Sequence, residues 1–151
     1  MKKQIDNELL YQLSLLFRTA IEKAKNNNEF NRKDRMSRFP MGCCDDSCDL
    51  LAFYLKSNYG IQTKQGNGVF AECTDECTNH AWLVLEDGTI VDITIDQFKN
   101  STDFYDSVYV GGENQFYRNL SRKRIYNNYD ITQDERLWGD YLIIANYLNN
   151  T

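Results

Sequence analysis

His80-Ala81-Trp82-Leu83-Val84-Leu85-Glu86-Asp87-Gly88-Thr89-Ile90-Val91-Asp92-Ile93-Thr94 is the stretch whose reading decides the fold. Two short apolar runs rich in β-branched residues flank an Asp-Gly pair, the signature of two antiparallel strands joined by a tight turn. Pairing centred on Asp87-Gly88 puts position 92 opposite about 82, within one or two residues of His80. An imidazole at the start of one strand and a carboxylate at the end of the next are therefore expected side by side.

Upstream of the hairpin, Phe39-Pro40-Met41-Gly42 stops any regular element. Cys44 to about Asn58 then reads as a crowded, mostly buried helix. Asp45, Asp46 and Asp49 lie in its first turns, where the positive helix end favours carboxylates, and Gly60 closes it. A strand over Ile61–Lys64 or slightly longer follows. The stretch Asn67 to Asn79 reads as a loop. Further out, Ile5 to Lys25 carries Leu9, Leu10, Leu13, Leu16, Phe17, Ala20, Ile21 and Ala24 at spacings of three and four, an amphipathic helix that ends at Asn26-Asn27-Asn28. Ser107–Val110 suggests another strand. Ile131 to Asn149 gives a closing helix. The expected plan is one α+β domain over residues 1–151, a buried helix packed on a small antiparallel sheet with flanking helices.

Composition bounds the function. The 151 residues include one histidine beside five cysteines, so no site can take two imidazoles from this chain. Seventeen basic against 22 acidic residues give a net charge of −5, which disfavours general nucleic-acid binding. The basic runs Arg32-Lys33-Asp34-Arg35 and Arg122-Lys123-Arg124 read first as solvated faces. No apolar run approaches the roughly 18 residues of a membrane span, and no signal-peptide pattern opens the chain. The expectation is a cytoplasmic protein with reduced thiols, or an effector exported without a cleavable signal.

Gly42-Cys43-Cys44, His80 and Asp92 form an ordered set with a chemical use. A helix N-terminus favours thiolate, and the amide of Cys44 can serve an oxyanion. His80 can take the thiol proton, and Asp92 can fix its tautomer. Gly42 would let a substrate approach closely. The Gly-x-Cys spacing selects Cys44, with Cys43 as fallback. Cys48, one turn on, shares a face with Cys44 and reads as packing.

Gly42-x-Cys44, His80-Ala81-Trp82 and Asp92-x-Thr94 together resemble the transglutaminase-like branch of the papain-like superfamily. The resemblance spans about 60 of the 151 residues, from Phe39 to Phe98. It implies a papain-like fold and a Cys44-His80-Asp92 triad. Family members are proteases, transglutaminases, peptide amidases and bacterial effector domains that deamidate glutamine. The run through Gln97 is similar to deamidase-type members, which makes Gln97 an oxyanion or auxiliary candidate. Trp82 reads as core or as a substrate platform. No cofactor is called for. The partner is a protein or peptide substrate, met by the chain's own loops or by a second protein, with residues 67–79 and 115–129 as the candidate contacts. Two other classes stay open. Cys44, Cys48, Cys73, Cys77 and His80 could form a zinc-like cluster, or the fold could be an inactive binding module.

Overall fold

The structure is a computed structural model and describes residues 5–70, 78–98 and 106–149. Helix α1 (Asn7–Asn26) starts at Asp6, whose side chain accepts the Glu8 amide, and buries Leu10, Leu13, Phe17, Ile21 and Ala24. Helix α2 (Cys44–Tyr59) begins at the expected residue and ends at Gly60, whose φ of +66° is the left-handed cap that glycine adopts without strain. Strands β1 (Thr63–Phe70), β2 (Thr78–Leu85), β3 (Ile90–Asp92) and β4 (Tyr109–Gly111) follow. A single helical turn α3 (Gln115–Arg118), strand β5 (Ser121–Tyr126) and helix α4 (Glu135–Asn149) complete the described elements.

The five strands form one antiparallel sheet in the order β4-β3-β2-β1-β5. This is an α+β arrangement with four helices among the described residues. Alternation along β2 sends its side chains to two cores. Ala81 and Leu83 join α1, α2 and α4 in the larger one, with Phe17, Ile21, Leu50, Leu51, Leu55 and Ile144. Trp82 faces the other way, into a smaller core with Ile90, Ile95, Tyr117 and Leu120. Each buried aliphatic side chain contributes roughly 1.5–3 kcal/mol. No helix among the described residues is long and apolar enough to cross a membrane.

The hairpin register follows the Asp-Gly turn: Leu83 pairs with Val91 and Val84 with Ile90. Elsewhere the structure departs from expectation for physical reasons. β1 starts two residues late and runs through the supposed loop to Phe70. Its glycines sit there because neighbouring side chains occupy the space. A Cβ on Gly66 would stand 2.4 Å from the Trp82 indole nitrogen, and one on Gly68 would stand 2.8 Å from Leu120 Cβ. β3 stops at Asp92 because that side chain accepts the Thr94 amide at 3.0 Å and turns the chain into a short 3-10 turn, Ile95–Phe98. The closing helix is split. A 3-10 turn over Ile131–Gln133 precedes α4, and the Asp134 side chain accepts the Leu137 amide as a new cap.

Gly66→Ala should therefore destabilise the protein by about 1–3 kcal/mol through overpacking against Trp82. Gly112→Ala, where a Cβ meets nothing within 4 Å, should stay within about 0.5 kcal/mol of the parent. Urea denaturation of both variants checks this, and equal midpoints would contradict the close approach.

Candidate active site

Gly42 holds φ +70° although nothing lies within 4 Å of where its Cβ would be. The left-handed backbone, rather than crowding, is what requires glycine there. That turn delivers Cys43 as the cap of α2 and Cys44 as its first residue. An N–H in the first turn has no acceptor within the helix, so the Cys44 amide is a donor available to a substrate oxygen.

Burial separates the three described thiols. Cys43 is wholly buried, its sulfur contacted by the Ser47 hydroxyl at 3.7 Å, and burial pushes it up to about 12. Burial also holds the Cys48 thiol well above the ordinary range. Cys44 Sγ lies 3.7 Å from the Asn79 carbonyl oxygen, and the thiol is among the groups that raise the His80 imidazole.

His80 is fully buried. Its Nε2 donates to Asp92 Oδ2 at 2.5 Å. That carboxylate, itself buried, also takes the Tyr117 hydroxyl on Oδ2 at 2.8 Å and the Thr94 amide on Oδ1 at 3.0 Å. With Nε2 committed to Asp92, Nδ1 is the nitrogen left to exchange a proton with sulfur. The Gln97 amide nitrogen lies 2.8 Å from Nδ1. An amide has a donor end and an acceptor end, so Gln97 can serve Nδ1 in either protonation state by turning over. Burial pulls the imidazole down, but the Asp92 charge and hydrogen bond, with smaller contributions from Cys44, outweigh it and raise His80 to about 9.

The acids at the start of α2 do not act as free charges. Asp45 and Asp46 pair with Arg35 at 3.4 and 2.9 Å, and Arg136 lies 3.1 Å from Asp46. Burial pushes Asp49 up to about 7, while it accepts from Gln65 at 3.1 Å and from the Tyr129 amide at 3.0 Å. The negative field at the sulfur is thereby reduced.

Cys44, His80, Asp92 and Gln97 thus come together. Trp82 does not offer a substrate platform. It is 5% exposed, packs on Tyr117 at 5.2 Å between ring centroids, and lies 5.8 Å from the imidazole. Cys73 and Cys77 lie outside the described residues. Among the described residues, no cluster of three His, Cys, Asp or Glu side chains is set to hold a metal ion.

Two contributors escaped the sequence reading. Tyr117 lay within a stretch taken for surface recognition. Arg18 is buried on α1, where it grips Asp96 through two contacts of 2.7 Å and also donates to the carbonyls of Ile93 at 2.7 Å and Ser107 at 3.0 Å. It fixes the turn that carries Gln97. Its signal was present, an arginine on the apolar stripe between Phe17 and Ile21.

The chain matches no protein-family model, no curated protein and no solved structure.

With one histidine in the chain, a single imidazole resonance reports the site. Its NMR titration midpoint should lie near 9 and fall to 6.5 or below in Asp92→Asn, which keeps the burial and loses the charge. Because the folded value lies above the unfolded one, the pair's contribution to stability is complete below about pH 6.5 and disappears as pH rises through 9. A parent midpoint near 6.5 would mean that Asp92 does not hold the imidazole proton.

Proposed function

We propose that this protein is a papain-like, transglutaminase-like cysteine enzyme acting on a carboxamide through Cys44, His80 and Asp92. The observation that carries the reading is the buried His80–Asp92 pair, whose imidazole meets a thiol at the first residue of a helix. It is supported by the order of the three groups along the chain, with Cys44 opening a helix, His80 on a strand and Asp92 ending the next strand.

In the reaction, Cys44 sulfur attacks the amide carbon. The developing oxyanion is met by the Cys44 amide at the positive end of α2. His80 Nδ1 carries the thiol proton and delivers it to the departing nitrogen, which leaves as ammonia or an amine. Asp92 holds Nε2 throughout and stabilises the imidazolium. Water then attacks the thioester, giving the carboxylic acid and the free thiol. A primary amine in place of water gives transamidation.

Among amide substrates, a glutamine side chain fits best. His80 is wholly buried and Cys44 only 9% exposed. A thin side chain can reach such a sulfur end-on, whereas a main chain crossing the site needs an open cleft. The primary activity is therefore protein glutamine deamidation.

Alkylation by iodoacetamide followed by peptide mapping tests the nucleophile. Cys44 should react at least about tenfold faster than Cys43 and Cys48, and His80→Ala should slow it by about 10²-fold or more. Ammonia release from a glutamine-rich protein such as casein should be lost in Cys44→Ser. Equal slow labelling of every thiol would sink the reading. So would stoichiometric zinc in protein purified without chelator.

A further inference from the structure

Beside the thiol, the sheet carries a hollow of about 290 Å³ that the reaction chemistry does not use. Asn67, Val69, Asn79, Arg122, Arg124 and Tyr126 line it. Asn79 belongs to both places, since its carbonyl oxygen lies 3.7 Å from Cys44 Sγ. The hollow thus shares Asn79 with the neighbourhood of the sulfur and spreads over β2 and β1 to β5, the outermost strand on that side of the sheet.

Its far wall is built by an irregularity. The step from Asn67 to Val69 in β1 is matched by the step from Arg124 back to Ser121 in β5, so three positions of β5 answer two of β1. This is a β-bulge, a device that re-aims a side chain next to a site. Arg122, at the bulge, holds φ +53°, a left-handed conformation that costs a non-glycine residue of order 1 kcal/mol or more. The bulge brings Arg122 and Arg124 to one concavity. Neither guanidinium has an acidic partner among the described residues. The intervening Lys123 turns away and pairs with Glu113 at 3.1 Å. Two guanidinium groups converging without a counter-charge suit a carboxylate, which each can grip by paired hydrogen bonds.

We propose that this hollow is the substrate-recognition subsite, and that it takes an acidic side chain flanking the glutamine presented to Cys44. The inference rests on the proposed function and adds the substrate class: glutamine within an acidic segment of a protein. Because the whole chain carries a net charge of −5, long-range attraction is not available to such a segment. Recognition must come from these two arginines at short range, and salt should weaken it.

The test uses the full chain carrying Cys44→Ala, so that nothing is turned over. The probes are fluorescein-labelled pentapeptides with a central glutamine, flanked on both sides by glutamate or by lysine. Fluorescence anisotropy should show the glutamate peptide binding at least about tenfold tighter, the scale of one good charged contact. Arg122→Gln/Arg124→Gln should erase that preference. Both side chains are exposed, and an unchanged melting curve shows that the variant is folded. In the parent protein the unlabelled glutamate peptide should protect Cys44 from iodoacetamide, and the double variant should lose that protection. Equal binding of the two peptides, a preference that survives the arginine substitutions, or binding that leaves Cys44 labelling unchanged would each overturn the assignment. So would displacement of the labelled peptide by a short oligonucleotide but not by the unlabelled glutamate peptide. None of these outcomes depends on ammonia release, so failure of the subsite and failure of the deamidase reading are read separately.

Discussion

A carboxylate with 1% exposure, Asp92, is the constraint around which the rest is arranged. Removing such a charge from water costs several kcal/mol unless donors replace the lost hydration. Three donors do so: the His80 imidazole, the Tyr117 hydroxyl and the Thr94 amide. Each comes from a different part of the chain. The imidazole is on β2, the phenol on a one-turn helix 25 residues further on, and the amide in the turn that Asp92 itself creates. Satisfying one buried oxygen pair thus fixes the sheet edge, the smaller core and the end of β3 together. The same donor set gives His80 its orientation and its persistent proton.

On the sulfur side, burial acts on the thiols in different ways. Three thiols lie within the six residues from Cys43 to Cys48, at the start of α2 and its cap, and burial pushes Cys43 and Cys48 away from thiolate. The third stands at the helix start beside the only imidazole. The carboxylates that ornament the same helix are tied to Arg35 and Arg136 or, at Asp49, drawn toward the neutral form. Their helix-starting benefit is retained while their opposition to a neighbouring negative sulfur is reduced.

Much of this was legible in the sequence. The Asp-Gly turn set the hairpin register, which in turn placed Asp92 beside His80. The glycines and the carboxylates located both ends of α2. What escaped has a common cause, since local pattern does not encode distant partners. Gly66 and Gly68 looked like loop residues because the Trp82 and Leu120 side chains that require them lie elsewhere. β5 is exposed along its whole length, so no apolar alternation announced it. Tyr117 belongs to the site only through a hydrogen bond to Asp92. Arg18 was visible as an anomaly on an apolar stripe, but its targets were not. The split before α4 hinged on a single capping contact at Asp134.

Arg18 has a consequence for where the working unit begins and ends. Its contacts to Ile93, Asp96 and Ser107 span 75, 78 and 89 positions. A fragment reduced to residues 39–98 would keep sulfur, imidazole and carboxylate. It would lack the guanidinium beneath the Gln97 turn and the phenol on Asp92. The smallest piece that keeps the site's geometry is thus set by the supports and not by the sulfur, imidazole and carboxylate alone. On a ribosome, where the N-terminal part emerges first, α1 would wait for its partners, and the Asp92 donor set would stay incomplete until Tyr117 had cleared the exit tunnel.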